Sequence, residues 1–369
     1  MRVCLLCVEI FAWGKFGGFG RSTRVVGREL VKRGVEVTAV VPRRAGQKPV
    51  EDLEGIRVLS FPWRQPFAMS RLIKQCDADI YHSQHPSLAT WLAMRAMPDR
   101  RHIVTFRDPK EFIDWKQELT NPSLSKIQVL LNWAYEDGPF VRSAVRRLDG
   151  SYAAAPSVNE KLRRKYAFPR DLDLLATPVD LNRNVSKAAT PTVCFLGRWD
   201  RRKRPQLFFE LARQFPAVTF LAVGRSRDPA WEAELRARYS GIPNLKMLGF
   251  VDQFESEKLR SILSESWILV NTSIREGLPT SFLEGLANKC ALLSSVNPGG
   301  ATEQFGRYVA DDDFATGLKE LLAGDAWRRK GEAGWEYVRE NFELDAVLDR
   351  HMRVYDALMT QGRRSAGSV

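Results

Sequence analysis

No apolar run in this 369-residue chain approaches the roughly 20 residues that a bilayer-spanning helix needs. A helical membrane protein is therefore excluded as a reading. Cysteine is sparse: Cys4, Cys7, Cys76, Cys194 and Cys290 are an odd, scattered set. That excludes a disulfide scaffold and points to reduced thiols in a cytoplasm. Cys4 and Cys7 form a CxxC, but no second Cys or His pair completes a zinc site, so they read as small residues of a buried strand. There is no low-complexity tract and no short-period repeat. The N-terminal MRVCLLCVEIFAW is apolar enough to suggest a signal peptide. It carries Glu9, lacks a small-residue cleavage site and runs into glycines, so it reads as the first buried strand.

What is present describes a globular protein of two domains, with 44% hydrophobic and 27% charged residues. The formal net charge is +12, and its distribution is uneven. Residues 1–176 hold 29 Lys+Arg against 19 Asp+Glu, a net of +10, leaving 27 against 25 in the remainder. A basic first half suits an acidic partner, such as an anionic lipid surface, a phosphorylated acceptor or nucleic acid; it also suits a merely solvated surface.

Strand-length apolar runs alternate with helical segments along the chain. RVCLLCVEI, VEVTAVVP, IRVLSFP, ADIYHSQ, RHIVTF and LDGSYAAAP read as strands of a first domain, residues 1–176. Residues 123–147 read as one long helix and residues 157–166 as another. The pattern restarts at PTVCFLGRW and continues through VTFLAVG, NLKMLGFV, SWILVNTS and CALLSSV, giving a second domain over residues 193–340. Polar, Pro-bearing residues 177–192 are expected to link the two. A final helix over 341–360 is expected to pack back on the first domain, followed by a disordered tail at 361–369. Such alternation implies α/β architecture: two Rossmann-like, doubly wound parallel-sheet domains facing a central cleft.

The densest chemistry lies in REGLPTSFLEG, residues 275–285, where Glu276 and Glu284 frame a Gly-Leu-Pro turn and a helix start. Carboxylates hold sugar hydroxyls, and a glycine turn running into a helix N-terminus binds phosphate. GRWDRRKRP, residues 197–205, follows the first strand of the second domain. Gly197 lets the chain turn sharply, and Arg198 and Lys203 are placed to stabilise the charge that gathers on a leaving nucleoside diphosphate. Taken alone, the segment reads more readily as a solvated basic turn. GGFG at residues 17–20 is a further glycine turn after the first strand.

The ordered set of GGFG, GRWDRRKRP and REGLPTSFLEG resembles the retaining glycosyltransferases of family 4, which have the GT-B fold; NPGGATEQFG at 297–306 sits at their next strand-end loop. The resemblance implies roles for matching positions. Glu276 would bind donor-sugar hydroxyls with the backbone of Gly277 and Leu278. Arg198 and Lys203 would hold the diphosphate, Glu284 (expected two helical turns into its helix) the ribose, and Thr280 and Ser281 the phosphates. Gly17 and Gly18 would let the first-domain loop approach the diphosphate and acceptor. The co-substrate would be a nucleotide-diphosphate sugar, UDP- or GDP-linked, with no tightly bound cofactor. The acceptor would be a glycan, glycolipid or small molecule. Displacement would retain configuration on one face, without a metal: no DxD is placed to hold one, and no glycosidase-like acid pair is evident. Asp311, Asp312 and Asp313 read as a solvated acidic loop.

One position departs from the family. A histidine often follows the strand that here reads HIVTFRDP, whereas this chain has Arg107 and Asp108 there. These two, with His82 and His85 after the preceding strand, are the candidates for the acceptor or sugar side. FPWRQPFAMSRLIK, residues 61–74, interleaves Phe61, Trp63 and Phe67 with Arg64, Arg71 and Lys74. It suits a membrane interface, single-stranded nucleic acid, or packing on its own domain. The reading is therefore a cytoplasmic hexosyltransferase, with the inner membrane face as a candidate location and no nucleic-acid partner. The alternatives are a sugar-nucleotide epimerase or phosphorylase on the same fold, and a non-catalytic basic binder of nucleic acid or anionic membrane.

Overall fold

A computed structural model describes residues 1–360 except Lys15, Trp63, Asn121, Ser123 and Leu124. The expected tail, the tryptophan of the 61–74 segment and the start of the expected 123–147 helix fall outside the described residues. The chain forms two units, described separately.

The first unit takes in residues 1–119, 125–178 and 344–360. Its strands are β1 Arg2–Leu6, β2 Glu36–Pro42, β3 Val50–Leu53, β4 Ile56–Phe61, β5 Ile80–Ser83, β6 Arg101–Phe106 and β7 Gly150–Ala153. They make one sheet in the order β3-β4-β2-β1-β5-β6-β7. All neighbours run parallel except β3, which is antiparallel to β4. The central strands are buried on both faces, which is why they read as continuous apolar runs. Cys4 and Cys7 are buried free thiols, as the strand reading requires, and Cys4 Sγ lies 3.7 Å from Cys76 Sγ. The expected helix over 123–147 divides at Gly138 into helices Lys126–Asp137 and Pro139–Val145. Pro139 supplies the break, since it has no amide hydrogen and favours the first helical position. The helix Leu344–Thr360 belongs to this unit, and the Tyr355 hydroxyl lies 2.7 Å from His82 Nδ1.

The second unit, residues 179–343, has strands β8 Thr192–Leu196, β9 Thr219–Val223, β10 Leu245–Gly249, β11 Ile268–Asn271, β12 Ala291–Ser294 and β13 Gly306–Tyr308. The order is β10-β9-β8-β11-β12-β13, all parallel. It reverses direction beside β8, the place where doubly wound sheets bind ligands at their carboxyl ends. Phe208, Phe209, Phe220, Trp199, Tyr239 and Trp327 fill the core. Each such apolar side chain contributes about 1.5–3 kcal/mol by leaving water.

Two glycines let the ends of β8 and β9 close. Gly224 has φ +142°, and a Cβ there would lie 1.8 Å from the Gly197 carbonyl oxygen. The Gly224 amide also donates to the Gly249 carbonyl at 2.8 Å. Gly224→Ala is therefore expected to destabilise the protein by about 2 kcal/mol or more, since it adds both a strained backbone and a backbone clash. Urea denaturation measures this, and an unchanged midpoint would show that the turn relaxes freely.

Candidate functional site

The second unit builds its site from the turns that leave β8, β11 and β12. After β8 the chain turns at Gly197 and reaches Arg204, whose φ of 46° places it in the left-handed region just before the helix Pro205–Gln214. Arg204 binds all three turns. Its Nε donates to the Thr272 carbonyl at 2.7 Å, and Nη2 donates to Ser295 Oγ at 3.0 Å. Its two terminal nitrogens also grip the Asp312 carboxylate at 2.5 and 2.7 Å. A bidentate arginine–carboxylate pair fixes direction as well as distance. The Thr272 hydroxyl lies 2.6 and 2.9 Å from the carbonyls of Lys203 and Arg204, and the Ile274 amide donates to the Arg202 carbonyl at 2.9 Å.

This stitching brings Lys203 against Glu276. The Lys203 ammonium donates to Glu276 Oε1, and Ser273 Oγ donates to the same oxygen at 2.7 Å. A cation and a carboxylate, both mostly buried, thus meet at the mouth of the strand ends. Arg198 is held differently. Its Nη2 lies 3.4 Å from Asp200 Oδ2, and the other oxygen of Asp200 accepts the Lys203 amide at 3.0 Å. Arg198 lines a small hollow with Arg201, Ser226, Arg227, Asp228 and Trp231. The two cations proposed from sequence are therefore joined through Asp200, with only Lys203 on Glu276.

The helix after the glycine turn runs Thr280–Ala287 and has no side-chain cap at Pro279. Among the described residues the Thr280 and Ser281 amides find no acceptor at the dipole's positive end, the arrangement that accepts an anion, whereas the Phe282 amide donates to the Pro279 carbonyl at 3.0 Å. Gly277, Leu278, Thr280 and Ser281 are all partly accessible. Glu284 is half-buried and is the fifth residue of the helix. It therefore stands little more than one turn in, not two, because the helix starts at Thr280. The NPGGATEQFG segment does follow β12, as a short turn of 3-10 helix and the helix Ala301–Phe305. The acidic run is not simply solvated: Asp312 holds Arg204, and Asp313 caps the next helix by accepting the Thr316 amide at 3.0 Å.

Sequence reasoning missed Asp200, Arg204, Thr272, Ser273 and Asp312. The spacing of Asp200 to Lys203 was a readable signal, since an aspartate commonly accepts the amide a few residues on in a turn. The Arg204–Asp312 pair, far apart in sequence, left none.

In the first unit, Gly17 precedes the helix Gly18–Lys32. Glu9 Oε1 accepts the Gly20 amide at 3.2 Å, and a Cβ on Gly17 would lie 2.0 Å from that oxygen. A carboxylate thus stands at the turn expected to approach a diphosphate. Arg107, only 6% exposed, donates to Thr177 Oγ1 and Gln84 Oε1, each at 2.5 Å. Burial lowers its pKa to about 10, and among the described residues no carboxylate is bonded to it. Asp108 is half-buried beside it in the chain.

The two histidines separate. His82 is completely buried; its Nδ1 lies 2.7 Å from the Tyr355 hydroxyl and its Nε2 2.8 Å from Thr105 Oγ1. Both nitrogens are committed inside the core, so His82 corrects the expectation of a substrate-facing residue. His85 packs on Phe19 at 5.5 Å, and its Nδ1 has no hydrogen-bond partner. Burial lowers its pKa to about 3.

Two parallel-sheet α/β units make the GT-B fold, which structurally similar glycosyltransferases share. Residues 16–183 match the model of Glycosyltransferase Family 4, and residues 179–329 match that of Glycosyl transferases group 1. Together the two matches span residues 16–329 of the chain. Among solved structures, sucrose-phosphate synthase from Thermosynechococcus elongatus aligns with TM-score 0.74 at 18% identity, covering 98% of this chain and 100% of that one. WaaG, a glycosyltransferase involved in lipopolysaccharide biosynthesis, aligns with TM-score 0.65 at 12% identity, covering 95% and 99%. HepE from Anabaena, solved with UDP-glucose, aligns with TM-score 0.63 at 13% identity, covering 97% and 100%. An 89-residue stretch is 30% identical to glycogen synthase from Anaeromyxobacter dehalogenans (strain 2CP-C); it covers 24% of this chain and 18% of that protein.

Three buried histidines set a pH dependence. His82 is held well below the ordinary histidine value by burial, while His85 and His351 are lowered, also by burial, to about 3 and about 4. Unfolded, each would titrate near 6.5, so below that pH the unfolded chain binds protons that the folded chain refuses. Stability is full above about pH 6.5. It falls by about 1.4 kcal/mol per pH unit per histidine as pH drops toward the folded values. Urea midpoints at pH 7 and pH 5 are expected to differ accordingly; equal midpoints would show these imidazoles protonated in the native state.

Proposed function

We propose that the protein transfers a hexose-type sugar from a nucleotide-diphosphate donor to a glycan, lipid-linked or small-molecule acceptor, with retention of configuration. The observation that carries this reading is the meeting of Lys203 with Glu276 beside an uncapped helix N-terminus. The three groups match the three parts of a sugar nucleotide. Glu276 accepts hydroxyls of the sugar, aided by the amides of Gly277 and Leu278. Lys203 and Arg198 hold the diphosphate, and Glu284 takes the ribose. Thr280 and Ser281 offer amides and hydroxyls to the phosphates.

As the anomeric bond breaks, charge grows on the departing diphosphate. A fixed ammonium and fixed amides gain more from that charge than from the bound donor, so they lower the barrier. The leaving phosphate takes the acceptor proton on the same face, and no step draws on a metal. The turns tied by Arg204 already hold Lys203 in place, so the cation need not be organised during reaction. UDP is the favoured nucleotide, with GDP second: related folds were solved with UDP-glucose, with UDP and glucose, and with UDP.

The first unit supplies the acceptor side in this reading. Arg107, buried without a bonded carboxylate, suits an anionic group such as a phosphate or an acidic sugar. Asp108 and His85 add a hydroxyl partner and a neutral imidazole. Gly17 and Gly18 leave the first-unit turn without side chains, next to Glu9. The setting is the cytoplasm, at or near the inner membrane face.

A thermal-shift screen against UDP, GDP, ADP and their sugar conjugates selects the donor. NMR of the products with that donor is expected to show transfer or slow hydrolysis, rather than an epimerised donor or a phosphate-dependent reaction. Glu276→Ala and Lys203→Ala should each lower kcat/KM by about 100-fold or more. Full activity in both variants would overturn the reading.

A further inference from the structure

Helices of a globular protein normally turn their apolar stripe inward. The helix Lys126–Asp137 carries one that faces out. Ile127, Leu130, Leu131 and Ala134 recur at the spacing of a single helical face, and all four are exposed. Phe112 and Ile113, which open the helix Phe112–Thr120, are exposed as well, and so is Phe140 of the helix Pro139–Val145. These six large side chains (Phe112, Ile113, Ile127, Leu130, Leu131 and Phe140) are each 51–71% exposed. The first two helices are tied together by their rings: Phe112 and Trp115 each lie 5.9 Å from Trp133. The outward residues are therefore carried on a fixed platform.

Charge on these helices is sorted by sign. From residue 110 to residue 147 the exposed charged side chains are Lys116, Lys126, Arg142, Arg146 and Arg147, all basic. The acids of the same stretch, Glu111, Asp114, Glu118, Glu136 and Asp137, are buried or half-buried, each with a basic partner within 3.4 Å. An apolar face whose own helices expose only basic charge is complementary to one surface in particular, an anionic bilayer with acyl chains beneath its phosphates. It is a poor self-interface, because two copies brought face to face would oppose like charges. No helix among the described residues is long and apolar enough to cross a membrane, so the contact would be interfacial.

We infer that these three helices form a docking surface for an anionic lipid bilayer. The surface differs from the 61–74 segment that the sequence suggested. There Phe61 is a core residue at the end of β4, and among the described aromatics only Phe67 is exposed. The inference stands apart from the transfer reading, since binding is measured without turnover.

Cosedimentation with vesicles tests it. The protein is expected to pellet with phosphatidylcholine–phosphatidylglycerol vesicles, and much less with phosphatidylcholine alone or at high salt. Ile127→Glu combined with Leu131→Glu should weaken partitioning by about tenfold or more, and Lys126→Glu combined with Arg146→Glu should weaken it in a salt-dependent way. Circular dichroism melts of both variants should match the parent, because the changed side chains are solvated. A parent protein that stays in the supernatant with anionic vesicles would overturn the inference. So would equal binding by the Ile127/Leu131 variant, or light scattering that finds a parent dimer which that variant dissociates.

Discussion

Arg204 ties together the turns that leave β8, β11 and β12, and the candidate donor site depends on that tie. Its guanidinium spans the Thr272 carbonyl, the Ser295 hydroxyl and both oxygens of Asp312. A planar fork with five donors can hold such a set in one orientation, whereas a lysine offers a point charge without direction. With the turns fixed, Lys203 is carried onto Glu276 and Asp200 is left to hold Arg198. The residues that would touch substrate are thus placed by one that would not.

The same logic explains why the proposed acceptor side looks different. Arg107 is also a buried arginine, but its partners are neutral: Thr177 and Gln84. Arg204 is bonded to a carboxylate, and among the described residues Arg107 is bonded to none. A buried guanidinium bonded to no carboxylate is costly unless something else answers its charge. That contrast, rather than position alone, separates a scaffold arginine from one proposed for recognition.

Much of this was legible in the sequence, and the limits have physical causes. Strands buried on both faces, such as RVCLL and TVCFL, announce themselves as apolar runs. The short antiparallel β3, with its half-exposed VEDL, has no such signature and was not anticipated. The helices Met69–Cys76 and Leu88–Ala96 were also missed, because one is short and the other is too uniformly apolar to show a period. Glu276 and Lys203 were readable because their segments are local turns with glycine. Their contact was not, because it is made by a fold that joins residues 73 apart. His82 shows the converse: a histidine at a strand end reads either as a site residue or as a local hydrogen-bonding one, and its partner Tyr355, far along the chain, decides for the second. The outward apolar stripe at 127–134 has the period of any buried helix, and only the structure shows which way it faces.

The division of labour between Lys203 and Glu276 is tested most directly by calorimetric titration of the Lys203→Ala and Glu276→Ala variants with the nucleoside diphosphate and its sugar conjugate. If lysine holds phosphate and glutamate holds sugar, Lys203→Ala weakens both ligands by about tenfold or more. Glu276→Ala weakens only the sugar conjugate and leaves the bare diphosphate bound as well as before, or better. Equal losses for both ligands in Glu276→Ala, or no loss in either variant, would contradict the account.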